Sequence, residues 1–404
     1  TGLAPQSVVL RVFVTADGGD YTVMPGGLAR VPSGNDPLRT GMQRGAVNKD
    51  VWVLADDPST RAPAPRGGAP RVAIRRTVGE LPSRSADDLY WLGRNVERLD
   101  AGGRLLRAGL QCVVGGVVGA RDFVEMATIN RVLARCGIVD LSVAAAPPDG
   151  PLVRHALVHG FAAGRALAGA LATIERLSRA SRDRFSVDLR RSFNHLTIDM
   201  RDRLERVDGD IDRMLELLDE LVRLCAALAG FASENMTRGS GWRFLDLGRR
   251  IERGIYVSRV VLGVTSAPNA SWEGALRLAL ELCDSSLTYR TRYLAAMQDD
   301  AVLDLLIVDP TNPQSLAFQV VAASAHLQAL PVSRDDPAGA FDALRSLDGA
   351  IERLARMPGQ LAAESVTRLR HEIEIAEAAL MSLSDDVTRI YFSHVPRAQV
   401  LGVA

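Results

Sequence analysis

The chain has 404 residues, 48 of them basic and 48 acidic, so its formal net charge is zero. That balance excludes a bulk basic field for nucleic acid and an acidic solvating tail. The length allows two or more domains with a large core, and the four scattered cysteines (Cys112, Cys136, Cys225, Cys283) make neither a disulfide framework nor a zinc site.

Residues 1–58 read as β structure. Ser7 to Thr15 is rich in β-branched residues, Asp17-Gly18-Gly19-Asp20 is a turn signal, and Tyr21-Thr22-Val23-Met24 resumes as a strand. Pro25-Gly26-Gly27 breaks the pattern, and short strands follow at Leu28–Val31 and Val51–Leu54. Residues 59–82 read as a linker, because Pro63, Pro65, Gly67, Gly68, Pro70 and Pro82 favour extended chain.

From Ser83 the pattern is helical to the end. The first helix is expected to begin near Ser85-Ala86-Asp87-Asp88, where acidic residues suit the positive end of the dipole. Further helices are expected at about 121–136, 152–180, 184–206 and 209–235, then from Trp242 to the stop at Ala267-Pro268-Asn269. Others follow at about 272–296, 301–308, 314–329, 338–356 and 360–390. The fold class is therefore mainly α: an all-helical bundle with an internal duplication and a small N-terminal β segment. The longest uncharged apolar run, Gly109 to Ala120, is too short and glycine-rich to cross a bilayer. No signal peptide is visible, so the expectation is a cytoplasmic chain with neither membrane nor nucleic-acid partner. The start at Thr1 reads as a piece of a longer open reading frame.

The duplication rests on one heptapeptide. Leu92-Gly93-Arg94-Asn95-Val96-Glu97-Arg98 returns 155 residues later (247 − 92) as Leu247-Gly248-Arg249-Arg250-Ile251-Glu252-Arg253. On a helical wheel Leu89, Leu92, Val96, Leu99, Gly103 and Leu106 form a core stripe, with Tyr90, Arg94 and Glu97 on a second face. Gly93 beside the stripe allows another helix to come close, at a propensity cost of roughly 1 kcal/mol. Arg94 and Glu97 are i,i+3 neighbours, and as a surface pair they would contribute about 0.3–0.5 kcal/mol. A second reading is that the two helices face each other about a pseudo-twofold axis and line a shared polar cleft. Buried charges must be paired or bind something charged, so the cleft would suit an anionic or zwitterionic ligand.

These residues resemble the alpha-E domain family, a bacterial all-helical domain named for its Glu-Arg motif. The matching segments are Ser83–Arg94 with Glu97-Arg98, and Glu234–Arg238 with Trp242–Arg253. Tyr289-Arg290-Thr291-Arg292-Tyr293 and Asp309–Gln319 match as well. The front segment is similar to the C-terminal end of a circularly permuted ATP-grasp domain, through Leu10–Val14, Val23–Val31, Gln43-Arg44-Gly45 and Asn48–Leu54. ATP-grasp enzymes activate a carboxylate as an acyl-phosphate and pass it to an amine or thiol, so the resemblance implies a peptide-bond-forming or peptide-modifying system. Most of the ATP-grasp domain lies outside this chain. ATP and Mg are therefore implied only for an intact domain, supplied in cis or in trans, and ligase activity is not expected of this chain alone.

In that setting Glu97 and Glu252 are the candidate catalytic residues, each able to orient an amine or act as a base. Arg94, Arg98, Arg243, Arg249, Arg253, Arg290 and Arg292 are candidates for binding an anionic, amino-acid or peptide substrate, because guanidinium groups suit bidentate capture of carboxylate or phosphate. Tyr289, Asn312 and Gln319 join them, and the helix opened by the Asn312–Gln319 stretch offers an N-terminus for an anion. Arg30 and Lys49, the only lysine, would meet phosphate or carboxylate in an intact ATP-grasp fold, or else hold strand ends. The histidines, including His371-Glu372, form no metal motif. The alternative reading is a non-catalytic scaffold that docks the ligase and its peptide substrate, with the Glu-Arg motifs as structural ion pairs.

Overall fold

The computed structural model describes residues 8–17, 20–31, 47–54, 81–116, 120–162, 165–207, 209–266, 272–293, 296–331, 338–356 and 363–392. The chain separates into two compact units, Thr1–Thr77 and Val78–Ala404. The proposed linker lies almost wholly outside the described residues, as does Gln43-Arg44-Gly45.

The first unit holds β1 (Val9–Arg11), β2 (Val14–Asp17), β3 (Asp20–Val23), β4 (Gly27–Val31) and β5 (Val47–Val51). The stretch expected to be one strand up to Thr15 is cut at Val12-Phe13, and its halves go to different sheets. β2 pairs with β3 as a hairpin, with Val14 opposite Val23. β1 pairs antiparallel with β4, and β4 with β5, in the order β1-β4-β5. The last strand precedes the expected Val51–Leu54, and Trp52 to Leu54 lie past its end.

The second unit is helical: α1 (Ser83–Gly115), α2 (Ala120–Arg135), α3 (Leu141–Ala145), α4 (Pro151–Val158) and α5 (Ala166–Ala180) come first. α6 (Val187–Asn194) and α7 (Arg201–Glu205) are joined by a π-helical stretch at His195–Met200, and α8 (Ile211–Asn235) follows. Then come α9 (Ser240–Val264), α10 (Trp272–Leu282), α11 (Ser286–Tyr293), α12 (Asp299–Leu303), α13 (Leu316–Ala329), α14 (Ala338–Ala355) and α15 (Ala363–Val387). α1 begins at Ser83, which puts Asp87 and Asp88 in its second turn, away from the strongest part of the dipole. The helix expected over 152–180 is broken around Gly160. The one expected over 272–296 is broken at Cys283–Ser285. There Asp284 N–H bonds Glu281 O (3.0 Å) and Ser285 N–H bonds Leu280 O (2.7 Å), a Schellman stop that places Asp284 at φ 47°.

The organising contact is α1 against α9. Each of these helices is nearly encircled: α1 also packs on α5 and α8, and α9 on α13 and α15. Their buried faces include Leu89, Leu92, Val96 and Leu99 on α1, and Phe244, Leu247, Ile251 and Ile255 on α9. A Cβ added at Gly93 would lie 2.0 Å from Leu245 O, and one added at Gly248 would lie 2.2 Å from Tyr90 O. Since 93 + 155 = 248 and 90 + 155 = 245, the two contacts are mates about a pseudo-twofold axis. The repeat glycines thus set a backbone-to-backbone crossing that no other residue type permits.

Candidate functional site

The crossing brings the two motifs face to face, and each glutamate is held by the arginines of the opposite helix. Glu97 accepts from Arg249 Nε (2.8 Å) and from Arg253 Nε and Nη2 (2.9 and 2.8 Å). Glu252 accepts from Arg94 Nε (2.7 Å) and from Arg98 Nε and Nη2 (both 3.0 Å). In both halves the second arginine forks across the two carboxylate oxygens and the first shares one of them. The i,i+3 pairing of Arg94 with Glu97 on one helix is thereby replaced by pairing across the axis. The facing helix offers each glutamate the bidentate fork that suits a guanidinium and a carboxylate.

Both glutamates are 6% exposed. Burial pushes their carboxyls up, but the guanidiniums outweigh it. Arg253, Arg249 and Arg250 hold Glu97 below the usual Glu range, and Arg94 and Arg98 do the same for Glu252. Both are therefore carboxylates at neutral pH, with three hydrogen bonds each. The motif side chains pair with one another across the crossing, and a small pocket lies beside Glu97 and Arg253.

Outside the shared clamp the two halves differ. Arg94 donates through Nη1 to Ser384 Oγ (2.5 Å), which also accepts from Tyr90 OH (2.8 Å). At the mate of Trp91 stands Asp246, which accepts from Arg249 Nη1 (3.2 Å) and from Arg250 Nε and Nη2 (3.0 and 2.9 Å). His326 Nε2 lies 2.8 Å from the same carboxylate. Burial opposes ionisation of Asp246, but the His326 hydrogen bond and the charges of Arg250 and Arg249 bring it well below the usual Asp range.

The remaining candidates divide. Gln319 reaches the network, accepting from Arg250 Nη1 (3.3 Å) while donating to Pro313 O and Ser315 O (2.8 and 2.9 Å). Asn312 donates to Leu305 O (2.9 Å) and Ser285 Oγ (3.3 Å) and so braces its loop. The N-terminus of α13 is capped from within by Ser315 Oγ, which accepts from Phe318 N–H (3.0 Å). Arg292 pairs with Asp309 and Thr311, Tyr289 OH donates to Ala296 O (3.2 Å), and Arg290 is exposed on α11. Arg243 is half-buried on α9 outside the clamp. In the first unit Lys49 stands opposite Ala29, and Arg30 Nε lies 3.4 Å from Asn48 Oδ1. Sequence reasoning missed Asp100 and Arg104, although they continue the Glu97 face at i+3 and i+7. It also missed Ser384 and His326, for which no local signal exists. No group of three or more His, Cys, Asp or Glu able to hold a metal occurs among the described residues, nor a helix long and apolar enough to cross a membrane.

A duplicated helical domain with its Glu-Arg motifs interlocked defines the class, and the comparison with known families agrees. The chain belongs to the Alpha-E family, described as a predicted alpha-helical domain with a conserved ER motif, whose model matches residues 81–392. Relatives include the uncharacterized protein Mb2597 of Mycobacterium bovis, 26% identical over 434 residues, and the uncharacterized protein Rv2567 of Mycobacterium tuberculosis, 26% identical over 429. Each match covers 96% of this chain and 45% of the relative, so the chain spans about half the length of these proteins. A shorter match, 42% identical over 60 residues, is to the uncharacterized protein Rv2411c of M. tuberculosis, covering 15% of this chain and 11% of that one. No solved structure matches.

Proposed function

We propose that the helical domain is a non-catalytic docking scaffold in an ATP-grasp-linked peptide-bond-forming or peptide-modifying system, with its Glu-Arg motifs as the keystone of the fold. The observation that carries this reading is the reciprocal saturation of the motifs. A general base needs a free lone pair within reach of a proton and an affinity tuned toward the working pH. Glu97 and Glu252 have depressed pKa values, three hydrogen bonds each, and a buried position. Recruiting Glu97 for chemistry would leave the largely buried Arg249 and Arg253 without their anion, and recruiting Glu252 would do the same to the buried Arg94, a loss of about 3–5 kcal/mol. A catalytic cleft between the motifs is therefore the weaker reading.

The ATP-grasp link draws support from the first unit. Successive residues Val9 (52% exposed) and Leu10 (59%) of β1 point to opposite faces of their sheet, and Trp52 and Leu54 are exposed too. A small sheet with apolar residues open on both faces is an interaction surface or part of a larger fold. The remainder of an ATP-grasp domain, in cis or in trans, is the partner this reading assigns, and the ATP and Mg chemistry belongs to that assembled domain.

The test is Glu252→Gln, alone and with Glu97→Gln, in the longer protein containing an intact ATP-grasp domain. Melting temperature and ATP-dependent product formation are measured together. The scaffold reading expects the melting temperature to fall and product formation to fall with it. A variant that melts like the parent but forms no product overturns this reading in favour of catalysis.

A further inference from the structure

α2 and α15 both pack on α9, and their charged residues meet near its C-terminal end. At one rung Arg135 of α2 lies 3.8 Å from Glu374 and 3.7 Å from Glu377 of α15, and Arg259 of α9 also holds Glu377 (2.7 Å). Four positions earlier on each helix, and so on the same faces, stand Arg131 and Arg370. The spacing that makes an ion pair at the first rung puts two cations at the second.

Both cations are anchored on the end of α9. Arg131 donates through Nε to Gly263 O (3.3 Å) and through Nη2 to Thr128 Oγ1 (2.8 Å). Arg370 donates through Nη1 to Ser266 Oγ (2.8 Å) and Thr265 O (3.5 Å). The two hydroxyls are fixed in turn, since Thr128 Oγ1 donates to Val124 O (2.8 Å) and Ser266 Oγ to Leu262 O (2.7 Å). A guanidinium carries five N–H donors, so much of each fork is left over. Arg131 Nη1 and Arg370 Nε and Nη2 make no hydrogen bond among the described residues, and none of the three is a buried atom. Both side chains are half-buried.

The charge is not balanced from within. Neither arginine pairs with a carboxylate among the described residues. Burial and the charge of Arg370 both push the Arg131 guanidinium down, and no acidic group pushes it back. The carbonyl end of α9 contributes about half a unit of negative charge, which is too little for two guanidiniums. The helix end is thus the anchor, and the outward sides of the guanidiniums are open for a counter-ion.

We propose that Arg131 and Arg370 form a binding site for an oxyanion, the phosphate or carboxylate group of a small molecule or peptide, held between their two forks. Guanidinium N–H groups match such oxygens in pairs. The anion would supply at this rung the negative charge that Glu374 and Glu377 supply at the next. The site goes beyond the scaffold reading and stands without it.

The experiment uses the chain as it is, without nucleotide, so its outcome is separate from that of the ATP-grasp link. Thermal melting in Tris chloride is followed against sodium phosphate and sodium acetate, with sodium chloride keeping the ionic strength equal. Phosphate also stabilises proteins by exclusion from their surface, an effect that grows steadily with concentration, so the site is read from the saturable part. At least one oxyanion should raise the melting temperature saturably, by about 2 °C at ten times its Kd, with half-saturation on the order of 1 mM. The larger response, to phosphate or to acetate, identifies which group the site takes. Arg131→Gln and Arg370→Gln should each abolish the saturable part. If neither variant folds, Arg370→Lys, which keeps the charge but loses the fork, should weaken binding at least threefold. No saturable response to either anion up to about 50 mM, or one that these substitutions leave unchanged, would overturn the proposal.

Discussion

Replacing Gly93 by alanine tests the α1–α9 crossing directly. The new Cβ would stand 2.0 Å from Leu245 O, against about 3.4 Å for ordinary contact, so the helices must part by about 1.4 Å (3.4 − 2.0) along that line. The atom in the way is backbone, so no rotamer change relieves it. The same separation would stretch clamp bonds of 2.7–3.0 Å toward 4 Å, beyond hydrogen-bonding range. Overpacking costs roughly 1–3 kcal/mol, and each charge-assisted bond weakened adds up to about 1.5–3 kcal/mol. Alanine returns only about 1 kcal/mol of helix propensity. The net expectation is about 4 kcal/mol or more, in the exceptional range for a single substitution. In differential scanning calorimetry that corresponds to a fall of roughly 8 °C or more. Gly248→Ala should match it, because its Cβ would meet Tyr90 O at 2.2 Å. Gly230→Ala on α8 is the control: nothing lies within 4 Å, so it should be neutral or stabilising by up to about 1 kcal/mol. If Gly93→Ala and Gly230→Ala melt within about 2 °C of each other, the close crossing does not hold the fold together.

Glu97→Ala should cost about 3–5 kcal/mol in chemical denaturation, because it strands the largely buried Arg249 and Arg253; Glu252→Ala should fall toward the lower end of that range, because Arg94 is buried but Arg98 reaches solvent. The double variant should lose less than the sum, since both clamps hold the same helix pair; strict additivity would refute that coupling. Ser384→Ala should cost about 1–3 kcal/mol by leaving the Tyr90 hydroxyl and an Arg94 N–H without their acceptor, and an unchanged urea midpoint would count against the contact. The folded pKa values of Glu97, Glu252 and Asp246 lie below their unfolded values, so their contribution is full above about pH 4.5 and is lost as pH falls through the folded values. Asp100 runs the other way: with its folded pKa raised, it destabilises progressively as pH rises from the unfolded to the folded value, and fully above it. Asp100→Asn should therefore widen the loss of stability between pH 7 and pH 3, as read from urea midpoints, because it removes a group whose contribution improves toward acid.

What was legible in the sequence follows from how local the determining physics is. The repeat gave the two central helices, their core stripe and the close-approach glycine, because each rests on neighbours one turn away. The face-to-face arrangement of Arg94, Glu97, Arg249 and Glu252 also followed, since similar helices pack most simply about a twofold axis. The reciprocal pairing of each glutamate did not, because it depends on whether two arginines on one helix reach one carboxylate on another. That is a distance set by Gly93 and Gly248. Breaks inside the helices were hidden for a related reason. The stop at Asp284 uses a residue other than glycine at the left-handed position, where the usual marker is glycine; Gly137, at φ 68° after α2, is the ordinary case. Ser384 and His326 come from helices far along the chain and carry no local periodic signal.

The pairs that break the symmetry separate structural from functional use of the duplicated motif. Positions that agree under the shift of 155 (Leu92/Leu247, Gly93/Gly248, Arg94/Arg249, Glu97/Glu252, Arg98/Arg253) are those that build the crossing and its clamps, and a requirement common to both halves is a requirement of folding. Positions that differ are released from that requirement. Trp91 is matched by Asp246, and Asn95, which donates to Trp91 O (2.8 Å), is matched by Arg250. In the second half these exchanges extend the polar network from the clamp to Gln319 and His326, whose Nδ1 is buried without a partner among the described residues. In the first half, Asp100 in place of an isoleucine opens a polar pocket where its mate continues the core. An Asp100→Ile substitution would restore the symmetry. It should leave the clamp intact while removing the orphaned oxygen, Asp100 Oδ1, so a chain that melts higher would place the fold in the shared residues, and one that melts lower would show that the Asp100–Arg104 pair holds the fold as well.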